Sequence, residues 1–134
     1  MNLVVARFVD GRMIKGHTND FLPAKDRFHL LPEDKALGTT PLEILVQDLK
    51  ALFFVRDLRG DSVHAETNAF EAGKAISGRK LKVSFLDGEV LVGTTQGYQP
   101  DRPGFFLVPA DPRSNNERCF VVMKSVKLVE FVWP

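Results

Sequence analysis

Adding 77 to a residue number in the first half of this chain lands on its counterpart in the second, and that offset constrains the fold more than any other feature. Phe8 falls on Phe85, Asp10 on Asp87, Gly11 on Gly88, Gly16 on Gly93 and Thr18 on Thr95. The same shift carries Pro23 to Pro100, Phe28 to Phe105, Leu30 to Leu107, Pro32 to Pro109 and Asp34 to Asp111, and it runs without a gap to Lys50/Lys127, Phe54/Phe131 and Val55/Val132. Thirteen identities therefore align blocks 4–55 and 81–132, and Phe21/Tyr98 adds a conservative pair. A fold that satisfies one block must satisfy both, so the unit to explain is about fifty residues long.

Each block reads as five short strands. In the first they are Val4–Val9, Met13–Thr18, Phe28–Leu31, Leu42–Val46 and Ala51–Val55; in the second, Leu81–Leu86, Val90–Thr95, Phe105–Val108, Cys119–Met123 and Leu128–Val132. Asp10-Gly11 and Asp87-Gly88 supply the two-residue signal of a tight hairpin, because glycine accepts positive φ. Gly16 and Gly93 interrupt the return strands, where a glycine signals a bulge or a sharp bend. "QDLK" between the fourth and fifth strands has room for a single helical turn. Five bent strands with no packed helix describe a small barrel, since closure removes the exposed edges of a tiny open sheet. The expectation is thus an all-β chain of two tandem SH3-like five-stranded barrels, residues 1–55 and 81–134. They are joined by a 25-residue linker, 56–80, with one short helix around Glu66 to Lys74.

Composition narrows the function classes. Eleven Phe against one Tyr and one Trp indicate a Phe-built, buried core, which a small domain needs. Eighteen Lys plus Arg against seventeen Asp plus Glu leave a net charge of +1, so no global field gathers phosphate-rich partners. The single Cys119, beside Phe120, Val121 and Val122, reads as a buried structural thiol and points to a reducing compartment. With no apolar run long enough to span a bilayer and no signal-type leader, a cytoplasmic location without membrane contact is expected.

The pattern of an apolar strand, Asp-Gly, a second Gly five residues on and then an aromatic resembles the first motif of Sm-like proteins in each block. The Asp-x-x-Asn ending of that motif is absent after Phe21 and Tyr98, which argues against Sm-type RNA binding. As a whole the chain resembles a group of uncharacterised bacterial proteins with a duplicated unit, sometimes found beside PilZ, on the stretches "ALFFVRDLRGD", "DGEVLVGTTQGYQPDRPGFFLVPAD" and "SNNERCFVV". PilZ's own RxxxR signature is missing, because Arg56 and Arg59 are three apart.

No catalytic, cofactor or metal site is expected. His17, His29 and His64 are scattered, no Ser lies in a nucleophile turn, and Gly11–Gly16 precedes a strand without the Lys-Ser/Thr of a phosphate loop. Asp10 and Asp87 read as turn residues. The candidate interaction surface is what the blocks do not share: Tyr98 and Arg102 in the stiff loop "YQPDRPG", then Arg113, Asn115, Asn116 and Arg118 in "DPRSNNERC". The Phe-rich final strands, "ALFFV" and "LVEFVWP", are candidates for an inter-barrel or inter-subunit seam. The function expected is a non-enzymatic adaptor that binds a protein or another copy of itself, with nucleic-acid or nucleotide binding by Sm-like analogy as the alternative.

Overall fold

The computed structural model describes residues 2–59, 70 and 78–132. Among them lie β1 (Asn2–Phe8), β2 (Met13–Thr18), β3 (Arg27–Pro32), β4 (Leu42–Leu45), β5 (Leu49–Val55), β6 (Arg79–Phe85), β7 (Val90–Thr95), β8 (Gly104–Pro109), β9 (Asn116–Val122) and β10 (Val126–Phe131). Single 3-10 turns at Val46–Asp48 and Met123–Ser125 link β4 to β5 and β9 to β10, the first of them in the stretch whose length left room for a single helical turn. A third, Lys35–Leu37, is capped by the Asp34 carboxylate, which accepts from the Ala36 N–H. The interblock helix expected around Glu66 to Lys74 lies outside the described residues.

The fold is all-β, and the strands form one open antiparallel sheet in the order β10-β6-β7-β8-β9-β5-β1-β2-β3-β4. Two five-stranded runs, β5-β1-β2-β3-β4 and β10-β6-β7-β8-β9, share the same internal order and are joined by pairing of β5 with β9. Leu52 faces Phe120 and Phe53 faces Cys119 across this seam. The physical reason is that a strand edge is a row of unmet N–H and C=O groups, and pairing two edges satisfies both at once.

Each run is nevertheless rolled. β4 and β5 stand at opposite ends of the first run, yet only Val46–Asp48 separate them in sequence, so the run curves until its ends approach. The inward residues fill two cores. The first is built on Val4, Phe28, Leu30, Leu49, Leu52 and Phe54 and also takes Phe120 and Val122 from β9. The second is built on Leu81, Val83, Phe85, Phe105 and Leu107 and takes Ala51, Phe53 and Val55 from β5. Strand side chains alternate between faces, so β5 and β9 each serve both cores, and every residue of β5 is buried.

Gly16 is not at a bulge. β1 and β2 pair in continuous register, and the first run's irregularity lies between Arg7 and Phe8, opposite β5. Gly16 instead permits close approach of β3, because a Cβ there would sit 2.0 Å from the Leu31 carbonyl oxygen. Gly93 does the same against Val108.

Candidate functional site

The loops between the second and third strands of the two runs, and the 3-10 turns before their last strands, converge at the seam. In the first run the Val46 N–H donates to the Asp26 carbonyl at 2.9 Å; in the second, Met123 donates to the Pro103 carbonyl at 2.8 Å. These four residues correspond at the 77-residue offset, so one backbone hydrogen bond pins loop to turn twice over. Between the two pinned corners lies a cleft of about 480 Å³, walled by residues 24–27 and 45–47 on one side and 101–103 and 122–124 on the other. A second cleft, of about 590 Å³, shares Ala24, Arg102 and Pro103 with it and extends over Phe106 and Phe120. Both volumes fall in the range of clefts that hold ligands or peptide side chains.

The floor is apolar, with Leu45, Val46, Val122 and Met123, and the rim is charged. Lys25, Arg102 and Lys124 are exposed there. Arg102 is steadied by its Nε–H donating to Gln99 Oε1 at 2.9 Å. Arg27 lies 3.1 Å from Asp26 and 3.4 Å from Glu43, and its hydrogen bond to Asp26 raises the guanidinium pKa while lowering that of the carboxyl. That charge is locally answered, and the rim presents mainly Lys25, Arg102 and Lys124.

Arg118 sits elsewhere, on an aromatic cluster at the seam. Its guanidinium lies 4.4 Å from the Phe54 ring centroid and 4.6 Å from that of Phe106, while Phe21 packs edge-on against Phe28, Phe54 and Phe120. Tyr98, the counterpart of Phe21, is half-buried against Phe105 and Phe131 and belongs to the second core. Asn115 is an internal tie: its Nδ2–H donates to the Asp57 carbonyl at 2.9 Å and its Oδ1 accepts from the Asp57 N–H at 3.1 Å, holding the chain after β5. Asn116 lies by Arg59 and Leu58 along a smaller cleft, and Arg113 is exposed. Of the six residues singled out in the sequence, only Arg102 lines the paired clefts.

The sequence reading missed a cluster bridging the two runs. Lys50, whose side chain is 5% exposed, donates from Nζ to Asp87 Oδ2 at 2.6 Å and to Glu89 Oε1, and lies 4.6 Å from the Phe85 ring centroid. Arg7 reaches the same Glu89 at 2.9 Å. The hydrogen bond from Lys50, helped by the Glu89 N–H and opposed by desolvation, holds the Asp87 carboxyl below its ordinary value. The visible signal was a lone lysine inside "LKALFFV". Asp87 is thus a turn residue and an ion-pair partner at once.

Among the described residues no group of three or more His, Cys, Asp or Glu is placed to hold a metal, and no helix is long and apolar enough to cross a membrane. His29 Nδ1 lies 2.7 Å from Asp20 Oδ2 on the surface, and His64 falls outside the described residues. Comparison with curated proteins and with solved structures gives no match. The model of a family of unknown function, DUF6982, matches residues 1–132, and the chain belongs to that family.

Proposed function

We propose that the chain is a non-enzymatic binding module, formed by tandem duplication of an SH3-like unit, that grips a segment of a partner protein in the paired clefts at its seam. The observation that carries this reading is the shared wall at Arg102 and Pro103. Corresponding segments of both units build one continuous depression there, apolar at its floor and cationic at its rim. An apolar side chain flanked by acidic residues is the complement of such a surface.

A second reading, nucleotide binding, is favoured by the three exposed cations at the rim. One experiment separates the two. Peptides selected from a random display library on the full chain are titrated against the wild type and Arg102→Glu/Lys124→Glu, and a thermal-shift screen is run in parallel with nucleotides, cyclic dinucleotides and single-stranded RNA. Enrichment of acidic-apolar peptides that lose about tenfold in affinity in the variant supports the module. Steeply salt-dependent RNA binding or a nucleotide-induced rise in melting temperature, lost in the same variant, would overturn it in favour of the second reading.

A further inference from the structure

Among the described residues, the seam has unpartnered counterparts at both ends of the sheet. At the 77-residue offset β10 corresponds to β5, and β4 to the last four residues of β9; these are the two terminal strands. The backbone of one copy's β10 therefore matches the β4 of another copy in the way β5 matches β9. That is a head-to-tail contact, of the kind that builds rings or filaments. Leu128 and Val132 are 50% and 41% exposed, whereas their seam counterparts Ala51 and Val55 are 0% and 6% exposed.

Three residues at the free ends oppose that contact. In the seam, Phe53 enters the second core and Phe120 enters the first. Their counterparts at the outer edges are Glu130 and Glu43, both exposed. Carrying the seam's register to the outer edges sets Glu130 opposite Leu42 and Glu43 opposite Val129. Each carboxylate would then be driven into the other copy's core without a partner. The third residue concerns the lysine anchor. Lys50 docks on Asp87 and Glu89, so the repeated contact brings Lys127 towards Asp10 and Arg12. Arg12 stands where the seam has Glu89, and it already holds Asp10 at 2.7 Å. Lys127 would meet a cation there.

We propose that Glu43, Glu130 and Arg12 block head-to-tail addition of a second copy at β4 and β10, so that assembly stops at the one seam inside the chain. Charges on an exposed edge are a general device against edge pairing; here each replaces the residue that makes the equivalent contact inside the molecule.

The test restores the seam's residues at the free ends, as Glu43→Phe, Glu130→Phe and Arg12→Glu, and measures mass by light scattering up to about 100 μM, because association follows mass action. The wild type is expected to keep the mass of one chain throughout, and the triple variant to rise with concentration to multiples of it. A cysteine pair, Thr39→Cys with Val132→Cys, then reports register, since the seam places Val55 opposite Asn116. Crosslinking between copies of the triple variant supports the proposal. If the triple variant gains mass without that crosslink, or stays at the one-chain mass with a native melting curve, the proposal fails. It fails equally if the wild type associates through the same crosslink. Should the triple variant not fold, the Glu43→Ala/Glu130→Ala/Arg12→Ala chain, which removes all three charges, decides: crosslinked multiples support the proposal and the one-chain mass overturns it.

Discussion

At the scale of single residues, the glycines separate two physical roles that look alike in a sequence. Gly11 has φ +94 and nothing within 4 Å of where a Cβ would stand, so its demand is conformational. Gly16 has no such dihedral, but a side chain there meets the Leu31 carbonyl oxygen at 2.0 Å, so its demand is spatial. Gly11→Ala is expected to lose about 1 kcal/mol, the strain of a left-handed alanine. Gly16→Ala is expected to lose about 3 kcal/mol, because the backbone of β3 must move. Urea midpoints of the two variants check the order, and equal losses would contradict the close approach. The repeat made both glycines visible as requirements of the fold; spacing alone could not say that the second is a matter of strand-to-strand distance, which depends on a partner 15 residues away.

At the scale of elements, the sequence showed strands and turns, with the largest boundary miss at β9, which starts at Asn116 where Cys119 was expected, because alternation and Asp-Gly are local signals. It did not show which edges meet. Edge pairing is made by backbone groups that every residue carries, so separate barrels and one continuous sheet are written in nearly the same side chains. "ALFFV" does lie at the seam, but its partner is β9, and the other final strand, β10, is the sheet's outer edge. The Lys50 cluster is where the joined elements leave a chemical trace. Lys50→Met removes a buried cation together with its desolvation, and stability at pH 7 should stay within about 1 kcal/mol of the wild type. Asp87→Asn/Glu89→Gln leaves that cation buried without a carboxylate, and should lose about 3 kcal/mol. The pH dependence has a definite sign. Because the Asp87 pKa is lower in the folded chain than the ordinary 3.8, its contribution is present above that value and is lost as pH falls through the folded pKa. Lys50→Met should therefore flatten the acid limb of the stability curve below about pH 4. With the Asp87 side chain 52% exposed, water screens the interaction and the change of slope is small.

At the scale of the whole molecule, the exchange of strand faces across the seam makes each run depend on the other. Phe120 and Val122 belong to the second run and are buried in the first core, while Ala51, Phe53 and Val55 belong to the first run and are buried in the second. Leu52 and Phe53 are neighbours in sequence yet serve different cores, so they test the coupling directly. Leu52→Ala and Phe53→Ala are each expected to lose about 3 kcal/mol and to lower the midpoint of one common transition. A half that unfolds separately would show two steps, with each variant shifting only one. The same dependence governs fragments. Residues 1–59 alone retain β1 to β5 but lose the β9 side chains that close the first core, and they expose the edge of β5, whose seven residues are all buried in the intact chain. That fragment should lack the dispersed amide spectrum of a folded domain, and mixing it with residues 78–134 should restore the dispersion. A well-dispersed spectrum for 1–59 by itself would mean that the seam joins two self-sufficient domains, and that the sharing of β5 and β9 between cores adds little to the stability of either.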